Sequence, residues 1–154
     1  MKTNLLLIVL SILLVSSCKM ANKKTDHGWL TNFEDGMAIA KKENKAVFVL
    51  FTGSDWCPPC KKLHHDVLES EEFMKFAKDN LVLVMMDFPR KSQNKLEPAQ
   101  SKYNNELKRK FRVRGFPSVI LFDKSGKELE RWVGYRPTDL SKTLGNYSAA
   151  LNKK

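Results

Sequence analysis

No low-complexity tract and no internal repeat interrupts this sequence, which leaves a globular domain as the reading. Also missing are the roughly 20 consecutive apolar residues that a membrane-spanning helix needs. The apolar run at residues 5–15, "LLLIVLSILLV", stops at eleven. Cysteine is scarce, at three. Two of them, Cys57 and Cys60, form a C-x-x-C pair, but Lys61 and not a histidine follows, which excludes covalent haem attachment. No peroxidase motif is present. What is there is an ordinary globular composition, 42% hydrophobic and 29% charged over 154 residues, enough for one domain with a proper core.

The first residues stand apart. Lys2, the apolar run and then Ser16, Ser17 and Cys18 follow the order of a secretory signal peptide: a basic start, a short apolar stretch and small residues at its end. The end of this segment, "VSSC", resembles the lipobox of bacterial lipoproteins. That resemblance implies that Cys18 carries a lipid and becomes the first residue of the mature chain. An ordinary cleaved signal beside an unrelated cysteine is the alternative. The expected organisation is a signal at residues 1–17, a polar and basic tether at 18–28 and one domain at 29–154. Loss of residues 1–17 removes Lys2 and no acid, leaving 26 basic against 17 acidic residues, a net +9. On an exported, lipid-anchored protein such a charge points to anionic lipid headgroups or acidic proteins rather than nucleic acid.

Hydrophobic pattern and capping residues divide the rest. After Thr31 or Asn32, either a good cap, "FEDGMAIAKKEN" places Phe33, Met37 and Ala40 on one helical face, although Gly36 weakens it. "AVFVLF" at residues 46–51 reads as a strand buried on both faces. A helix over 61–68 follows the C-x-x-C pair, then one opened by Ser70 and early acids, then a second buried strand, "LVLVMMDF". A polar loop at 89–98 and the helix "AQSKYNNELKRKF" lead to "SVILF" and "ELERWV", a hairpin around residues 123–126. A last helix starts on Thr138. Parallel crossovers first and a hairpin last define an α/β class with a central mixed sheet flanked by helices.

Three features together resemble the thioredoxin family. "WCPPC" directly follows the first central strand and opens a helix; "GFPSV" at 115–119 precedes the hairpin strand; and the element order agrees across nearly all of the mature chain. "FTGSDWCPPC" is similar to exported thioredoxin-like proteins of bacterial envelopes more than to the cytosolic enzyme. The resemblance implies a single thioredoxin-fold domain with C-x-x-C at a helix N-terminus. It further implies a cis-proline at Pro117 opposite the dithiol, and a substrate groove formed by Phe116 and Pro117. Trp56, beside Cys57, is either part of the same apolar rim or a buried core tryptophan. One departure stands out. The family's buried Asp, six residues before the first active cysteine, is Phe51 here, and the strand at 81–86 lacks the accompanying Lys.

Disulfide exchange needs a reachable thiolate. Cys57, at the positive end of a helix, is the expected nucleophile, and Cys60, one turn in and less exposed, the resolving thiol. Pro58 and Pro59 have no N–H to offer the Cys57 thiolate, which favours a reducing pair, whereas Lys61, Lys62, His64 and His65 would lower the thiol pKa. No bound cofactor is called for, since the redox-active Cys57–Cys60 disulfide itself carries the electrons. The expected function is a thiol–disulfide oxidoreductase of the bacterial envelope, reducing or repairing exported proteins and recycled by a membrane electron-transfer partner. The run "KRKFRVRG" is either a solvated helix end or a basic flank that steers acidic partners. Two other functions compete. Cys57, Cys60 and His64 could carry copper or zinc, with His65 turned away. Alternatively, the proline groove could hold peptides without catalysis.

Overall fold

The computed structural model describes residues 28–137 and 140–152. The signal at 1–17, Cys18, most of the tether and the cap at Thr138 lie outside them. In chain order the elements are α1 (Phe33–Glu43), β1 (Ala46–Thr52), α2 (Pro58–Leu63), a π-helical turn (His64–Leu68), α3 (Glu71–Asn80), β2 (Leu81–Asp87), a 3-10 turn (Ser92–Asn94), α4 (Pro98–Lys110), β3 (Ser118–Phe122), β4 (Glu128–Val133) and α5 (Leu140–Leu151). The four strands form one mixed sheet in the order β2-β1-β3-β4, with β1 parallel to β2 and antiparallel to β3.

Every residue of β1 is buried, as a run of β-branched and aromatic residues requires of a central strand. Alternation divides it between two cores. Phe48 and Leu50 face α3, α5 and the π-helical turn, with Val119 and Leu121 of β3 beside them. Val47, Val49 and Phe51 face the opposite layer with Phe33, Leu107, Ile120 and Phe122. Each such side chain, fully buried, contributes about 1.5–3 kcal/mol. Asn32 caps α1 by accepting from Asp35 N–H at 2.8 Å, and Ser70 caps α3 through Phe73 N–H at 3.1 Å.

Two expectations change. The strand at 81–87 is not buried throughout: Leu83 and Met85 stay half-buried, because β2 is an outer strand. Leu30 pairs with its free side, donating to Leu83 O at 2.9 Å and accepting from Met85 N–H at 2.8 Å. The helix expected at 61–68 starts at Pro58 and widens to a π-helical turn from His64. Gly36, which weakens α1 locally, serves packing. A Cβ there would lie 2.5 Å from Cγ2 of Val84, so only glycine lets the helix approach β2 this closely.

Candidate active site

The active-site turn leaves the end of β1 and is tied at both ends. Cys57 N–H donates to Gly53 O at 2.9 Å, and Cys57 O accepts from Lys61 N–H at 3.1 Å as the first bond of the helix. Cys57 is therefore the N-cap of α2, with Pro58 and Pro59 in the first helical positions, where a missing N–H costs nothing. Cys57 and Cys60 are joined in a disulfide, with their Cα atoms 5.2 Å apart. Both are only 3% exposed, so the expected difference in exposure is not seen in this form; bonding the sulfurs covers each with the other.

The residues before Cys57 are fastened to the end of β2 and the loop that follows it. Ser54 donates its N–H to Asp87 Oδ1 at 2.9 Å and its hydroxyl to Asp87 Oδ2 at 2.6 Å. Asp55 accepts from the backbone N–H groups of Arg90 and Lys91 and from Asn94 Nδ2, at 2.9–3.2 Å. The Arg90 N–H, first among these donors, holds the Asp55 carboxyl below the usual carboxylate range. Trp56 donates its indole N–H to Phe88 O at 2.7 Å, and the Arg90 guanidinium sits 3.5 Å from the ring centroid. A Cβ on Gly53 would come within 2.4 Å of the indole, so glycine is what gives Trp56 its seat.

Trp56 is half-buried at the rim rather than in the core. Its ring meets that of Phe116 edge-on, with centroids 5.9 Å apart, which joins the C-x-x-C turn to the proline loop. The Phe116–Pro117 peptide is cis, and Pro117 O accepts from Gly134 N–H at 2.7 Å. Lys108 Nζ lies 5.4 Å from the Phe116 centroid and 5.7 Å from that of Phe88, and Arg112 and Arg114, which precede the proline loop in sequence, are exposed. Phe51 is fully buried in the opposite layer, stacked on Phe88 with centroids 6.5 Å apart.

On another side, Cys60 lines an open cavity of about 360 Å³ together with Met85, His64 and Glu69. His64 Nδ1 pairs with Glu69 Oε1 at 3.1 Å. His65 lies mostly in solvent and pairs with Asp66 at 3.0 Å, which raises its pKa. Among the described residues no three His, Cys, Asp or Glu side chains gather as a metal site, and Cys57 and Cys60 are committed to their disulfide. Of the residues that build this site, Gly53 had a local signal, a glycine at a strand end. Asp55, Arg90 and Glu69 act through partners distant in sequence or through a helix irregularity and had none.

A bonded C-x-x-C pair at a helix start, on a mixed four-stranded sheet flanked by helices, is the architecture of the thioredoxin fold. The comparisons agree: residues 33–148 match the thioredoxin-like domain, and the chain belongs to that family. It is 38% identical over 120 residues to "Disulfide bond reductase DsbH" of Chlamydia pneumoniae, covering 78% of this chain and 70% of the relative. It is 30% identical over 118 residues to "Thioredoxin-related protein DsbJ" of the same organism, covering 77% of this chain but 33% of that longer protein. A solved structure titled "DsbH Oxidoreductase" superposes with a TM-score of 0.74 at 32% identity, covering 88% of this chain and 90% of the other. The chain is a thiol–disulfide oxidoreductase.

Proposed function

We propose that this enzyme works in the bacterial cell envelope, reducing or repairing disulfides of exported proteins, with Cys57 as nucleophile and Cys60 as resolving thiol. The observation that carries the reading is the Cys57–Cys60 pair capping a helix beside the Trp56–Phe116 contact. In the reduced enzyme the Cys57 thiolate attacks one sulfur of a substrate disulfide, and the other leaves as a thiolate. Cys60 then attacks Cys57 Sγ, the mixed disulfide breaks, and two electrons have passed to the substrate. Trp56, Phe116 and Pro117 form the rim against which the substrate backbone lies. Lys108, Arg112 and Arg114 flank it and favour acidic polypeptides.

The reducing direction is supported by Pro58 and Pro59, which leave the Cys57 thiolate without main-chain donors at those two positions. A thiolate stabilised less makes the disulfide a weaker oxidant. The name of one relative, a disulfide bond reductase, agrees. Cys18, as a lipidated first residue, would hold the domain at a membrane, where an electron-passing partner regenerates the dithiol. The test is the reduction potential of Cys57/Cys60 in a Cys18→Ser form, equilibrated with glutathione or dithiothreitol and trapped by alkylation. A value near about −270 mV is expected; one near about −120 mV would make the enzyme an oxidant and overturn the direction. Full activity in Cys57→Ser would replace exchange with peptide binding.

A further inference from the structure

We infer that His64, oriented by Glu69, accepts the proton of the Cys60 thiol as Cys60 resolves the mixed disulfide on Cys57, an inference that rests on the roles proposed above. Cys60 must lose a proton to attack, and in the disulfide form, where Cys57 covers part of it, Cys60 is 3% exposed. The position that carries the family's buried acid is Phe51, packed among aromatic rings in the opposite layer. What Cys60 does share is the cavity of about 360 Å³, and its lining decides which group can act.

The sheet and the active-site turn contribute Met85, Thr52 and Ser54 to that lining, none of which titrates near neutral pH. The helix contributes Lys61, His64, His65 and Glu69. Lys61 Nζ acts as a donor, to Asp55 O at 3.1 Å. His65 is 85% exposed and held by Asp66. His64 remains, half-buried and 3.1 Å from the Glu69 carboxylate.

The helix is built to make that pair. In a regular α-helix, residues five apart lie roughly 140° apart around the axis and do not meet. The π-helical turn closes with Glu69 N–H donating to His64 O at 3.0 Å, which brings the two side chains onto one face. Imidazole Nδ1–H donating to the carboxylate fixes the tautomer and makes Nε2 the basic nitrogen. The step then balances. The Cys60 proton passes to Nε2, directly or through one water, and the thiolate forms its bond to Cys57 Sγ. The substrate sulfur departs with the electron pair of the broken bond, and the imidazolium returns the proton to it or to solvent.

The test uses reduced Cys18→Ser protein mixed with excess 5,5′-dithiobis(2-nitrobenzoate) in a stopped-flow instrument across pH. Two coloured thiolates are released in sequence, the first by Cys57 and the second by Cys60. His64→Gln is expected to slow the second phase about a hundredfold relative to the first and to change its pH profile, with rescue by added imidazole. Glu69→Gln, the positioning residue 3.1 Å from His64 Nδ1, is expected to slow it about tenfold while leaving the first phase unchanged, and Glu69→Asp to recover part of that loss. An unchanged ratio of phases and pH profile in His64→Gln, or a loss that imidazole does not restore, overturns the inference. A missing second phase in the unsubstituted protein would instead remove Cys60 as resolving thiol, and this inference with it.

Discussion

Gly53→Ala tests how the site is held. The added Cβ would stand 2.4 Å from Cε2, 2.6 Å from Nε1 and 2.7 Å from Cζ2 of Trp56, distances that real Cβ atoms do not keep. The indole has little room to yield, because its N–H is committed to Phe88 O at 2.7 Å and Arg90 lies 3.5 Å from its centroid. Overpacking of this kind costs about 1–3 kcal/mol. Displacing the ring also gives up a hydrogen bond of about 1 kcal/mol and a cation–π contact of about 0.5–1 kcal/mol. A combined loss of about 2.5–5 kcal/mol should lower the melting temperature of the oxidised protein by roughly 10–20 °C. Gly145 supplies the control. It lies inside α5, and a Cβ added there would meet nothing within 4 Å, so Gly145→Ala should gain about 0.5–1 kcal/mol. The decisive measurement is a double-mutant cycle by thermal and urea unfolding. In a Trp56→Ala background the cost of Gly53→Ala should largely vanish. If the full cost persists there, the clash with Trp56 is not its cause and the reasoning fails.

Two further outcomes follow from charge. Arg112→Glu with Arg114→Glu should slow reduction of an acidic disulfide peptide about tenfold at low salt and leave a neutral peptide unaffected; an unaltered salt dependence would remove the steering role. The His65–Asp66 pair should matter only within a pH window. The raised pKa of His65 means that its stabilisation is complete below its ordinary 6.5 and is lost as pH rises through the folded value. Asp66 is depressed, first by that same histidine, so its contribution is present above 3.8 and lost as pH falls through its folded value. The urea midpoint of His65→Gln should therefore fall below that of the unsubstituted protein at about pH 5.5 and converge with it by about pH 8. A constant gap across that range would show that the histidine acts by packing.

What could be read in advance was what local sequence determines. The β-branched run of β1, the Ser70 cap with its acids and the hairpin around Gly126 each depend on neighbours a few residues away, and each stands where its pattern placed it. The C-x-x-C turn at the exit of β1 was legible for the same reason. Other features depend on contacts across the fold. Gly36 reads as a flaw in a helix until Val84 is seen against it. The seat of Trp56 needs Phe88 and Arg90, which arrive only after another helix and strand. The π-helical turn leaves the hydrophobic spacing of Leu63, Val67 and Leu68 intact, so periodicity alone could not distinguish it from the α-helix expected there.

The way Arg90 is held has a consequence for the whole mouth of the dithiol. An arginine fixed by a carboxylate, as Arg131 is by Glu128 at 2.7 Å, adds order to a surface but almost no net charge. Arg90 is fixed by an indole, which has no charge to cancel, and Asp55 beside it takes the backbone N–H rather than the guanidinium. The ring of Trp56, the residue next to Cys57 in sequence, therefore immobilises a cation without neutralising it. A guanidinium held by a ring rather than by an opposite charge keeps its field for whatever approaches. Dissolved ions screen such a field, so the approach of an acidic partner past Trp56 should weaken as ionic strength rises.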